Sequence, residues 1–281
     1  MRVKRRPKRL CNLRVGRQAN SRSLPGDQNA TQVCLGATAA EKHTFVRGRA
    51  LSPAERAVGW LIGVPFASWR YMARTIEIRR EDSSCTWPID GFPNGDCSVG
   101  EPDGLQGPVA GYGAAFHRRY RVRIARPLLD ARELMSIVLN DPNVACPLEI
   151  ARFEREMTGQ RPIEVGDELQ VRLPGAWNGP VRATDVTDRS FRLATLRGHM
   201  EAGEIDFRAR DDEDGELVFE IESWARSGDR VFDFLYDRLG IARELQLDMW
   251  AFFLERVAQI SGGSAANGIE VYTGRCTDHP L

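Results

Sequence analysis

Between Ser190 and Ala225 apolar and polar residues alternate with little interruption. Ile205, Phe207 and Ala209 share one face, and Glu204, Asp206, Arg208 and Arg210 share the other. Further on, Leu217, Phe219, Ile221, Ser223 and Ala225 alternate with Val218, Glu220, Glu222, Trp224 and Arg226. A period of two with one charged face predicts antiparallel strands, apolar inside and wet outside. The polar run from Asp211 to Gly215 joins these two strands as a hairpin. The run Gly198-His199-Met200-Glu201-Ala202-Gly203 connects them to a strand upstream.

The period then lengthens. Val231, Leu235, Leu239, Ala242, Leu245, Met249, Phe253, Val257 and Ile260 recur at three or four residues, the stripe of a helix lying on a core. Gly240 marks a bend or break in it, so the long helix runs from Ile241 to Ser261 and stops at Gly262-Gly263.

The upstream pattern completes the set. From His117, Tyr120, Val122 and Ile124 alternate with Arg119, Arg121 and Arg123, a one-sided strand. Asp130 with Glu133 forms a capping box ahead of a helix carrying Leu134, Met135 and Val138. Pro147 suits the first turn of a second short helix, closed near Gly159. Strand patterns resume at Leu169–Leu173, through Val181 and Val186, and at Phe191–Thr195. The order predicts an α+β fold, a curved antiparallel sheet wrapped around a long C-terminal helix. The first strand then pairs with the last, setting Arg121 and Arg123 across from Glu220 and Glu222.

Composition changes this picture at the ends of the chain. The 281 residues carry no net charge, but residues 1–50 hold 12 Lys+Arg against 2 Asp+Glu, leaving 27 against 37 for the rest. The folded part is acidic, so no nucleic-acid partner is expected for it. Residues 1–51 read as a basic, disordered arm or a misassigned start, and 52–80 as an apolar helical segment. Within the latter, Ala57–Trp69 is uncharged but short and interrupted by Pro65, so it does not span a bilayer. Residues 81–115 read as a Gly/Pro-rich loop or linker, 116–263 as the domain proper and 264–281 as a disordered tail. The six cysteines show no ligand spacing, so reduced thiols and no metal are expected, with Cys85 and Cys97 free in the loop.

His199, Glu201 and Glu204 form the one tight cluster of titratable groups that includes a histidine, and they are the candidate catalytic residues. A turn of this composition also explains itself, with Gly198 and Gly203 supplying special backbone angles. Tyr120, Thr195, Phe207, Phe219, Ser223, Met249 and Phe253 lie on the inner face of the sheet or on the helix stripe, and are the candidate ligand-binding residues. Trp177, Trp224 and Trp250 are either cavity walls or core. No Walker loop, dinucleotide fingerprint, nucleophile elbow or zinc-protease motif occurs, so no cofactor is expected.

The segments FHRRYRVRI, GDELQVRLPGAWNGPVR, SFRLATLRGHMEAGEIDFRARD and LVFEIESWARSGDRVFDFLYDRL, with QLDMW, together resemble the uncharacterised, mostly bacterial domain-of-unknown-function nineteen-ninety family. Ser68–Met72 (SWRYM) is similar to that family's longer form, and the resemblance spans Ser52 to Gly263. Its most distinctive motif is Gly198, His199, Glu201, Gly203 and Glu204. The resemblance implies a helix-grip fold of the START and Bet v type (SRPBCC), whose relatives carry apolar ligands or act as cyclases and aromatase-like enzymes. It transfers no catalytic residue. Three expectations follow: a domain binding a small apolar or amphipathic ligand between sheet and helix; an enzyme using His199 with Glu201 or Glu204; or a membrane-peripheral protein anchored through Ala57–Trp69. The first leads, with a cytoplasmic or membrane-associated location.

Overall fold

The computed structural model describes residues 76–86, 104–148, 151–155, 161–173, 178–233 and 241–277. All of them lie in one structural unit, 47–281. The basic arm, the Ala57–Trp69 segment, Cys97 and Trp177 fall outside the described residues. Among those described, no helix is long and apolar enough to cross a membrane.

The described residues form a large mixed sheet with few helices. Its strands are β1 (Ile78–Thr86), β2 (Tyr112–Ala125), β3 (Arg152–Arg155), β4 (Glu168–Arg172), β5 (Asn178–Val186), β6 (Ser190–Thr195), β7 (Glu201–Asp211), β8 (Leu217–Ser227) and β9 (Ser264–Thr277). They lie in the order β1-β9-β2-β8-β7-β6-β5-β4-β3. Every neighbouring pair is antiparallel except β1 with β9, which is parallel. Helix α1 (Ala131–Asn140) follows β2, and α2 (Ile241–Ile260) lies between β8 and β9 after a single helical turn at Arg230–Asp233.

The first strand does pair with β8. Arg121 stands opposite Glu220, with guanidinium Nε 2.8 Å from its carboxylate. Arg123, however, stands opposite Val218 and pairs with Asp212 of the hairpin, while Arg119 takes the place across from Glu222. The predicted capping box is formed: Asp130 accepts from the Arg132 and Glu133 backbone N–H groups, and Glu133 accepts from that of Asp130. Leu134, Met135 and Val138 of α1 are fully buried. Along α2, Trp250, Phe253, Leu254 and Val257 enter the same core as Phe191, Phe207, Phe219 and Ile221 of the sheet. Burying side chains of that size contributes roughly 1.5–3 kcal/mol each, as an upper bound. The Phe207 ring stacks on Phe191 at 4.5 Å and meets Phe253 at 5.7 Å, which ties β6 and β7 to the helix.

Four expectations are corrected. Residues 264–277 are no tail: they form β9, inserted between β1 and β2, so α2 is not the last element. Ile269 and Val271 carry its alternation, and Asn267 and Gly268, both at positive φ, mark an irregularity that shifts its register on β2. Residues 81–115 are not all loop: β1 occupies 78–86, and β2 begins at Tyr112. The second short helix is replaced by a 3-10 turn, Pro142–Val144, and by β3, where Phe153 alone faces inward. Cys276 is disulfide-bonded, against the expectation of reduced thiols. Its backbone is in register with Cys85 across a pairing that neither charge pattern announced. Cys146 is a buried free thiol.

Candidate functional site

Because β3 to β8 curve over one side of α2, their inner faces and the helix together line a partly open cavity of about 110 Å³. Its apolar walls include Phe153, Val171, Leu193, Phe207, Met249 and Trp250. Polar groups join them where the Leu196–Met200 turn brings His199 to Glu201 of β7, which also meets Gln246 of α2. Gly198 has φ +95°, the left-handed geometry the turn required. Gly203 is needed for a different reason than expected: a Cβ there would stand 2.0 Å from the Trp224 carbonyl oxygen across the β7–β8 pair.

The His199 ring is oriented by its own turn. The Glu201 backbone N–H donates to Nδ1 at 2.8 Å, and a backbone N–H can only donate, so Nδ1 is the acceptor. Nδ1 also lies 3.0 Å from the Glu201 carbonyl oxygen, a contact that needs the opposite tautomer; the shorter contact, from the N–H, favours the ring proton on Nε2. Burial pushes the ring down to about 4, so it is neutral at pH 7. Among the described residues Nε2 has no hydrogen-bond partner, and it lies where a Cβ on Gly179, also in the cavity wall, would meet it at 2.4 Å.

Glu201 and Glu204 take different roles. Burial raises the Glu201 carboxyl above its ordinary value, while Arg118 and the Gln246 hydrogen bond pull the other way. Gln246 donates to that carboxylate at 3.3 Å and accepts from the Arg118 guanidinium, bridging the two charges. Arg118 is itself buried, and burial lowers it. Glu204 has its carboxylate 3.6 Å from Arg192 on the outer face, as the alternation required. His199 thus meets the backbone of Glu201, not a carboxylate. A ring titrating near 4 with no carboxylate on it is a poor general base at neutral pH.

Of the candidate ligand-binding residues, Thr195, Phe207, Ser223 and Met249 line the cavity. Phe219 and Phe253 pack in the core beside it, and Tyr120 is buried next to a smaller recess with Arg80 and Glu244. Burial pushes the Tyr120 hydroxyl up to about 12. Thr195 is spoken for: its hydroxyl donates to the Gln106 carbonyl at 2.7 Å and accepts from the Gly203 N–H at 2.9 Å. Ser223, by contrast, is buried with its hydroxyl unpartnered among the described residues. The Trp250 indole N–H is likewise buried without a partner. Gln246 and Arg118 escaped sequence reasoning. Arg118 shares the parity of Tyr120, Val122 and Ile124, so its inward position was readable. Gln246 carries no comparable sign.

The outer face of the same strands differs. Asp206 accepts from Arg192 at 2.6 and 2.9 Å and from Arg208, which also reaches Glu222 at 2.8 Å. Glu222 in turn lies 2.7 Å from His117 Nε2, and the His117 ring stacks on Trp224 at 3.5 Å.

With this geometry in place, comparison with known proteins gives one family match, over about a third of the chain. Residues 148–249 match the family described as Domain of unknown function (DUF1990). This is the family whose motifs the sequence resembles, and the match runs from β3 into α2. DUF1990 carries no activity in its description. No curated protein matches the chain. Among solved structures, a hypothetical protein of Helicobacter pylori aligns at TM-score 0.39 and 9% identity, over 64% of this chain and 96% of its own. A norcoclaurine synthase of Thalictrum flavum, solved with dopamine and hydroxybenzaldehyde, aligns at TM-score 0.37 and 10% identity, over 59% and 95%. A major latex-like protein of Panax ginseng aligns at 0.33 and 12%, over 48% and 95%. Likenesses this partial carry nothing about this chain's chemistry.

Proposed function

We propose that this chain is a helix-grip binding protein that holds a small, mainly apolar molecule between the curved sheet and α2. One observation carries the reading: a partly open, mainly apolar-walled cavity of about 110 Å³ with a few polar groups on its wall. Apolar wall left facing water is surface that a ligand can cover, at roughly 25 cal/mol per Å². The size argues for a small occupant, since a cavity of roughly 150 Å³ admits benzene and drug-sized ligands need ~300 Å³ or more.

Native mass spectrometry of the full chain purified from its source tests this. The expected result is an added mass of small-molecule size that is lost on denaturation. A bare mass, unchanged after incubation with an apolar extract of the same cells, would count against the reading and leave the cavity a packing defect.

A further inference from the structure

The polar groups on the cavity wall have unequal capacity left. Thr195 is saturated by Gln106 and Gly203. The Glu201 carboxylate is served by Gln246, which Arg118 holds in turn. The Glu204 carboxylate turns outward to Arg192. What remains idle is donor capacity: His199 Nε2–H, the buried Trp250 indole N–H, and the Ser223 hydroxyl, which donates or accepts. A buried donor without a partner costs on the order of 1–3 kcal/mol, and the Trp250 indole N–H is one; with the half-buried His199 Nε2–H on the same cavity wall, the site has donors to offer an acceptor.

Charge narrows the choice. No cation lines the cavity among the described residues, and Arg118 and Arg192 are engaged by Gln246 and Asp206. An anion in the cavity would therefore sit near Glu201 with no cation of its own. A cationic amine would bring further donors to a wall that already has too many. Resting on the ligand reading above, we infer that the occupant is an uncharged molecule bearing a carbonyl-type oxygen, which accepts from His199 Nε2–H and the Trp250 indole N–H. The Glu201 backbone N–H, by fixing Nδ1 as acceptor, keeps the His199 proton on the cavity side.

Four five-membered-ring probes of matched size test this on the full chain: cyclopentanone, methylenecyclopentane, cyclopentylamine and cyclopentanecarboxylate. Binding is followed by ¹H–¹⁵N NMR, with the Trp250 indole cross-peak assigned by its loss in Trp250→Phe. The expected result is that the ketone binds at least as tightly as the hydrocarbon, although water holds the ketone back far more strongly. Ketone binding moves the Trp250 cross-peak downfield. His199→Asn keeps an acceptor for the Glu201 N–H but has no atom where Nε2–H stood. It and Trp250→Phe should each shift the ketone-to-hydrocarbon ratio by about threefold to tenfold against the ketone.

A hydrocarbon preference that neither substitution moves would overturn this inference while leaving the ligand reading intact. Tightest binding by the amine or the carboxylate would overturn it likewise. If none of the four binds, the ligand reading falls with it. Should either variant fail to fold, the order of the four probes on the unaltered chain decides alone.

Discussion

The two faces of β6, β7 and β8 are both rich in polar groups, yet they are built to opposite plans. Outside, Arg192, Asp206, Arg208, Glu222 and His117 are closed into one chain of contacts in which each group serves the next. Inside, Thr195, Glu201 and Gln246 are served, but His199, Trp250 and Ser223 are left with capacity unused. Polarity therefore does not mark the site. Unsatisfied polarity beside the cavity does: Gln170 Nε2 and Thr184 Oγ1 are also buried without a partner, but neither lines it.

The strongest way to break this contrast is to open the outer chain. Asp206→Asn keeps the shape of the side chain but strips the charge that holds Arg192, whose side chain is only 12% exposed. The expected loss is about 3 kcal/mol in chemical denaturation, with cavity binding unchanged. A loss below about 1 kcal/mol would class the network with solvent-screened surface pairs and erase the distinction.

The inner face is tested next by its titration. Burial holds His199 near 4 against its ordinary 6.5. The unfolded chain thus takes up the proton first, and the stability this ring contributes is complete above 6.5 and lost as pH falls toward 4. At about 1.36 kcal/mol per unit, roughly 2 kcal/mol disappears between pH 7 and 5. Glu201 runs the opposite way: its raised carboxyl contributes most below 4.5 and loses that contribution as pH rises through its folded value. Since Glu201 is present in both chains, the stability difference between the unaltered chain and His199→Asn isolates the ring. That difference should shrink by about 2 kcal/mol over this range; a flat one would mean that the ring titrates as it does in water.

The smallest effect on stability should be the sharpest on the site. Gly179→Ala places a methyl group 2.4 Å from His199 Nε2 and 2.6 Å from Cδ2, so the ring must move. Stability should change by no more than about 1 kcal/mol, while cyclopentanone affinity falls about tenfold in the same titration. Unchanged affinity would show that Nε2 is not the group that reads the ligand.

Much of this architecture was legible because two periodicities carried it. Alternation placed Phe191, Phe207, Phe219 and Ile221 inside and Glu220, Glu222 and Trp224 outside, and the three-to-four spacing placed Trp250 and Phe253 on the sheet. Local chemistry marked the Asp130–Glu133 cap and the Gly198 turn in the same way. What stayed hidden was decided by partners far apart in sequence. β1 is mostly charged or small and becomes a strand only because β9 offers it an edge. The idle capacity of the site is equally non-local: whether Thr195 or Ser223 is free depends on Gln106, eighty-nine residues from Thr195. No pattern along the chain separates those two hydroxyls.

The placing of β9 has a consequence for how the protein is made. Among the described residues, 264–277 are the sole sheet neighbour of β1, and they also fill one edge of β2. During synthesis β1 leaves the ribosome some 180 residues ahead of the strand that will receive it. Until then both β1 and the free side of β2 present unpaired backbone groups, the kind of edge that captures a neighbouring chain. The sheet can grow outward from the β7–β8 hairpin early, but this flank closes only once β9 has emerged, which makes it the slow step and the exposed one.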